Sequence, residues 1–188
     1  MCKLLTQNSK LKKEGIWSFN LPPMSTCPMA GECKKYCYAK KGFYNMPSVK
    51  KGLKKRYLVA NTANFADQIG AEIKGKKFVR IHASGDFFSA GYLRQWRMIA
   101  LSNPNVNFYC YTKSVALFKE CANNVPANFR VIFSLGGLQD EMINLERDRH
   151  CRIFNTKAEL DQAGYTDVSN SDLLAATTSS IKLGIVRH

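Results

Sequence analysis

Short β-rich runs alternate with amphipathic helical runs along this chain, and that alternation restricts the fold more than any other feature of the sequence. "GIWSFNLP" reads as a strand ended by Pro22 and Pro23, and "PSVKKGLKKRYLVANTANFADQIGAEIK" as one long helix or two in succession. "KKFVRIHAS", bounded by Gly75 and Gly85, is a second strand. The helix after it, "SAGYLRQWRMIALSN", sets Tyr92, Trp96, Ile99 and Ala100 on one face and stops before Pro104. "VNFYCYT", "SVALFKECANN" and "NFRVIFSL" repeat the pattern as strand, helix and strand, closed by Gly136 and Gly137. "QDEMINLERDR" is expected as a helix, "CRIFNT" as a strand, "KAELDQAG" as a helix and "KLGIVRH" as a sixth strand. Such a series specifies an α/β fold with a parallel sheet and right-handed crossovers. A full eight-unit barrel needs about 200 to 250 residues or more. The 188 residues therefore predict an open, partial (β/α)6 barrel forming a single domain over 1–188, with an open doubly wound sheet as the competitor.

In either architecture the chemistry belongs at the C-terminal ends of the strands. Those ends carry Cys27, Cys33 and Cys37 in a loop over residues 25–44 after the first strand, "HASGDFF" after the second, "YTKS" after the third and "FSLGG" after the fourth. Arg187 and His188 stand on the last strand. Seven cysteines is an odd number. No stretch approaches about 18 consecutive apolar residues, and the N-terminus lacks the apolar centre of a signal peptide. A cytoplasmic protein without a membrane partner is expected, and in a reducing compartment thiols persist for metal binding, catalysis or packing. Cys110 in a strand and Cys121 in a helix read as small core residues, Cys2 as part of a disordered terminus, and Cys151 beside His150 is open between packing and ligation.

Three thiols on one loop are pre-arranged ligands, and iron and zinc both favour thiolates. Nearby lysines are expected to keep the thiols deprotonated. A three-thiolate site with an open position suits substrate binding, whereas His82, His188 or Cys151 as a fourth ligand would close it as structural zinc. His82, in "VRIHASGD", is expected opposite Ile81 and reads as a core histidine or as an acid, base or ligand. Asp86, beside Phe87 and Phe88, reads as a catalytic or site acid or a helix N-cap, with Ser89 an equal candidate for the cap.

The formal charge is +14, from 28 Lys and Arg against 14 Asp and Glu, a field that attracts polyanions. "AKKGFYNMPSVKKGLKKR" holds Lys40, Lys41, Lys50, Lys51, Lys54, Lys55 and Arg56 without an acid, and reads as a solvated helix face or a nucleic-acid contact. Tyr36, Tyr38, Phe43 and Tyr44 interleave aromatic faces with these cations, as single-strand binders do. There is no phosphate-cradling Gly-Lys-Ser/Thr loop, no serine nucleophile elbow and no His-Glu-x-x-His helix, which argues against nucleotide triphosphatases, serine hydrolases and zinc peptidases.

A cysteine loop after strand one and a small-small-acid turn after strand two resemble the radical S-adenosylmethionine (SAM) superfamily in architecture. "CPMAGECKKYCYA", "RIHASGDFFSAGYLRQW" and "YCYTKS" resemble more closely a phage-associated family known as gene-product-88-like. The superfamily resemblance implies a [4Fe-4S] cluster on Cys27, Cys33 and Cys37, with the fourth iron open to the amino and carboxylate groups of SAM. It also implies Tyr36 beside the adenine, Ser84, Gly85 and Asp86 facing the methionine amino group, Ser134 at the ribose, and Lys113 with Ser114 between them. It further implies a reductant protein and, with the charge, a nucleic-acid or nucleotide substrate in a phage-infected host's cytoplasm. The spacing here is C-x5-C-x3-C rather than the common C-x3-C-x2-C, and Asp86 stands where the superfamily has Glu. The other reading is a nucleic-acid-binding module braced by zinc or iron-sulfur, without catalysis.

Overall fold

Each long β-rich run pairs with its sequence neighbour in a sheet that grows in one direction. The structure, a computed structural model, describes residues 3–120 and 125–187; Cys2, Cys121 and His188 lie outside them. In chain order the elements are α1 (Ser9–Lys13), β1 (Ile16–Phe19), α2 (Cys33–Tyr36), α3 (Pro47–Ala60), α4 (Phe65–Ile73), β2 (Phe78–Ile81), α5 (Ala90–Leu101), β3 (Asn107–Thr112) and α6 (Val115–Lys119). There follow β4 (Phe129–Ser134), β5 (His150–Phe154), α7 (Lys157–Gln162), β6 (Thr166–Asp167), α8 (Asp172–Thr177) and β7 (Lys182–Val186). The seven strands form one sheet in the order β1-β2-β3-β4-β5-β7-β6, and every pairing between them is parallel.

That order corrects two expectations. A doubly wound sheet reverses its strand order at a switch point, and here no reversal occurs from β1 to β5. Six strands become seven because Thr166 and Asp167 add a two-residue strand to the outer edge of β7, too short to give a periodic signal.

The faces of the sheet follow the two-residue period of its strands. Phe108 and Cys110 join one core with Phe65, Ile69, Leu93 and Trp96 from α4 and α5, while Tyr109 joins a second with Leu11 of α1 and Ala175 and Ala176 of α8. Parallel strands buried on both faces account for the nearly continuous apolar runs.

The helical stretch 47–74 is two helices, separated at 61–64 where Thr62 and Gln68 bond to the Asn64 carboxamide. The helix expected over 139–149 is a single 3-10 turn, Asp140–Met142, followed by turns. Its acids bond to backbone instead: Asp140 accepts from Gly136 and Gly137, and Asp148 from Asn144. Ser89, not Asp86, caps α5, accepting from the Tyr92 N–H at 3.2 Å.

Candidate functional site

The loop after β1 crosses the C-terminal edge of the sheet and is tied down on both sides. On the β2 side the Asp86 N–H donates to the Thr26 carbonyl at 3.0 Å, the Leu21 N–H to the Ser84 carbonyl at 2.9 Å, and the Ser84 hydroxyl to the Leu21 carbonyl at 2.8 Å. Gly85 makes this approach feasible: its φ is +86°, and a Cβ there would stand 2.6 Å from Leu21 Cβ and 2.7 Å from Thr26 Oγ1. On the β4 side the Leu138 N–H donates to the Met29 carbonyl at 2.9 Å, and Ala30 pairs antiparallel with Gly137. The cysteine loop therefore spans from the end of β2 to the end of β4.

Between the loop and the strand ends lies a cavity of about 230 Å3 lined by Cys27, Cys33 and Cys37. Tyr36, Tyr38, His82, Ser84, Gly85, Asp86, Lys113 and Ser134 also line it, together with Arg80, Tyr111, Thr112 and Cys151. Among the described residues the non-glycine positions with positive φ are Met24 (69°) and His82 (71°), and both border this cavity. Backbone held in that region marks sites where the surroundings impose a conformation.

The cavity's acid and its lysine are each committed to the end of the next strand. One oxygen of Asp86 accepts from the Phe87 N–H at 2.7 Å and the Thr112 hydroxyl at 2.6 Å, and the other from the Lys113 N–H at 2.8 Å. Burial nevertheless pushes its carboxyl up to about 6, outweighing those three donors and the Lys113 charge. The Lys113 ammonium donates at 2.8 Å to each of the Ser134 carbonyl, the Ser134 hydroxyl and the Leu135 carbonyl, and burial lowers its pKa. Ser114 is not at the cavity: its buried hydroxyl donates to the Phe87 carbonyl at 2.8 Å.

Burial raises the pKa of two of the loop thiols. Burial pushes Cys27 up to about 11, with Asp86 and the other two loop cysteines adding to the effect. Burial also raises Cys33, outweighing Lys113 and Lys34. This corrects the expectation that neighbouring lysines deprotonate the loop, because Lys40, Lys41, Lys50, Lys51, Lys54 and Lys55 are exposed to solvent, where their charge is screened.

His82 does not lie opposite Ile81. Its left-handed backbone turns the ring into the aromatic core that holds Ile81, 4.8 Å from Phe87 and with Nε2 2.9 Å from the Tyr92 hydroxyl. Burial, then the charge of Arg80, lowers its pKa to about 3, so the ring is neutral at pH 7 and is a poor proton shuttle there. His150 faces away from the cavity, with Nδ1 on the Asp148 carbonyl and Nε2 on the Tyr165 hydroxyl. Cys151 faces into it, and burial pushes its thiol up to about 12. Cys110 is fully buried in the core.

Beside the loop runs a groove of about 490 Å3 lined by Lys40, Lys50, Lys54, Tyr44 and Tyr57, and it shares Pro23, Met24 and Ala39 with the cysteine cavity. Among the described residues, none of the six exposed lysines is in an ion pair. Arg56 differs, since its Nε donates to the Leu4 carbonyl at 2.7 Å and ties α3 to the N-terminal segment. Sequence reasoning passed over Arg80, Tyr111 and Thr112, although a lone arginine between Val79 and Ile81 in a strand is a readable signal, because buried charges are rare unless paired.

A family model described as Gene product 88 matches residues 3–185. The Gene 88 protein of Mycobacterium phage L5 is 31% identical over 106 residues, covering 47% of this chain and 43% of that protein. The match thus spans less than half of the phage relative's length. No solved structure matches the chain.

Proposed function

The chain belongs to the gene product 88 family, and from that premise we propose that it is a phage-type iron-sulfur protein acting on nucleic acid or a related polyanion in the host cytoplasm. The observation that carries the reading is the convergence of Cys27, Cys33 and Cys37 on one cavity at the C-terminal edge of a parallel sheet. In this reading the sheet is the open, partial barrel of a radical SAM type, formed by one domain, with the cysteine loop across its mouth.

Three thiolates on one loop are a donor set of the kind a [4Fe-4S] cluster takes, although among the described residues no three His, Cys, Asp or Glu side chains are grouped closely enough to hold a metal ion. One zinc ion with bonds of about 2.3 Å would have to draw three sulfurs to about 3.8 Å apart, whereas a [4Fe-4S] cluster takes one thiolate per iron. The cluster, when bound, supplies one-electron transfer at the cavity. Its positive irons would also reverse the raised pKa values of Cys27 and Cys33, since metal coordination deprotonates thiols. The chain's own part is to hold the loop: Asp86 joins the ends of β2 and β3, and Lys113 joins β3 to β4.

The residues fit SAM less well. Ser84, Asp86, Lys113 and Ser134 are engaged with the protein, and 230 Å3 is below the roughly 300 to 1,000 Å3 of ligand clefts. The same observations favour a second reading, a metal-braced binding module in which Lys40, Lys50 and Lys54 with Tyr44 and Tyr57 hold a single strand without catalysis.

Alkylation of anaerobically purified protein, read by mass spectrometry, tests the thiol assignment. Cys27, Cys33 and Cys37 should resist a thiol reagent until the metal is stripped and then react together. Free reaction of all three before stripping would sink the proposal.

A further inference from the structure

The cavity contains two cations, and they differ in what they have left to give. Lys113 has three N–H donors and three acceptors, all within the protein. Arg80, on β2, has five donors, of which Nε reaches the His82 carbonyl at 3.3 Å and Nη1 reaches Asp172. Among the described residues Nη2 has no hydrogen-bond partner, the side chain remains 18% exposed, and it lines the cavity with its guanidinium 5.2 Å from the ring centre of Tyr111. Asp172 is itself divided, taking Tyr109 at 3.0 Å on the oxygen that Arg80 uses and Lys10 at 3.2 Å on the other. Nearby Glu14 is turned to the Ser171 hydroxyl and the N–H groups of Asp172 and Leu173.

A guanidinium oriented on one edge by a carboxylate and open on the other is a pre-organised fork for an oxyanion. We propose that Arg80 is the seat for the phosphate-ester or carboxylate end of an organic ligand, whose body lies against Tyr111, Ile153 and Ile185 in the cysteine cavity. This rests on reading that cavity as the functional site and assigns its ligand a chemical class. Small aromatic or aliphatic phosphate esters and carboxylic acids belong to the class, and a cavity of about 230 Å3 favours them over a whole nucleotide.

Phenyl phosphate, benzoate and benzyl alcohol, titrated calorimetrically into the full chain, separate the two anion types from a neutral body of similar size. One or both anions should bind at least about tenfold more tightly than the alcohol, and Arg80→Gln should remove that difference. Arg80→Lys keeps the charge without the fork and should weaken the anion several-fold, while Asp172→Asn should tighten it by removing a competing negative charge while its Oδ1 still accepts from Nη1 and holds the fork in place. Should an Arg80 variant fail to fold, the comparison of anion with alcohol on the unmodified chain decides. Equal affinities for all three probes, or anion binding indifferent to both Arg80 and Asp172, would overturn the assignment. Metal content measured on the same samples keeps the outcomes apart: intact metal with no anion preference defeats the Arg80 seat alone, and anion binding to metal-free protein defeats the cluster alone.

Discussion

His82 and Asp86 lie four residues apart and answer pH in opposite directions. For His82 the folded pKa of about 3 is below the ordinary 6.5, so unfolded chains take up a proton that the fold refuses. Its contribution is present above about 6.5 and is lost as pH falls toward 3. For Asp86 the folded pKa of about 6 is above the ordinary 3.8, so its contribution is present below 3.8 and lost as pH rises through 6. His82→Asn, chosen because Asn tolerates the left-handed backbone, should flatten the acid loss by on the order of 1 kcal/mol per pH unit between 6.5 and 4.5. Denaturant titrations of both proteins across that range provide the check, and parallel slopes would remove His82 from the acid response. Gly85→Ala should destabilise by about 2 to 4 kcal/mol, because the new methyl meets Leu21 and Thr26 at a positive φ. Unfolding within about 0.5 kcal/mol of the parent would mean that the loop gives way easily. At this scale the convergence of the cysteines and the Ser84–Asp86 turn on one cavity was legible from their place after strands. The orientation of His82 was not, since one left-handed residue cancels the alternation from which its side was read.

In the proposed reading two elements carry the partner chemistry, the cysteine loop and α3. Among the described residues the exposed lysines of α3 are in no ion pair, so their replacement should be nearly silent in the fold and, in the proposed reading, loud in binding. Changing Lys50, Lys51, Lys54 and Lys55 together to Ala should lower the slope of log affinity for single-stranded DNA against log salt by about 3, at roughly 0.7 per phosphate contact. Helix content should be unchanged by circular dichroism, since Ala is at least as good a helix former as Lys. An unaltered slope would place the contact elsewhere. Helix–strand alternation was readable for β1 to β4 because each strand has Gly or Pro within a few residues on at least one side and α4 and α5 carry clear apolar stripes. It failed over 139–149, where Asp140 and Asp148 spend their side chains on loop backbone, and over α8, a six-residue helix capped by Ser171 and held at its first turn by the distant Glu14. Contacts so far apart in sequence leave no local period to find.

Across the whole molecule, the loop bridges β2 and β4 above three half-buried thiols, and in the proposed reading a metal would complete that arrangement. A ligand that binds only the folded state stabilises it by mass action. Stripping the metal should therefore lower the unfolding temperature, with the loss concentrated in faster amide exchange over residues 25–44. The direction of the sheet was legible from the order of its strands, whereas the two-residue β6 at its edge was not. The measurement that bears most directly on the central claim is the iron, acid-labile sulfide and zinc content of protein purified without oxygen, taken with its visible spectrum. The account predicts a brown protein with about four irons and four sulfides per chain and broad absorbance near roughly 400 nm, all lost in Cys27→Ala, Cys33→Ala and Cys37→Ala but kept in Cys110→Ala. A colourless protein with neither iron nor sulfide, or a cluster indifferent to those three substitutions, would contradict it.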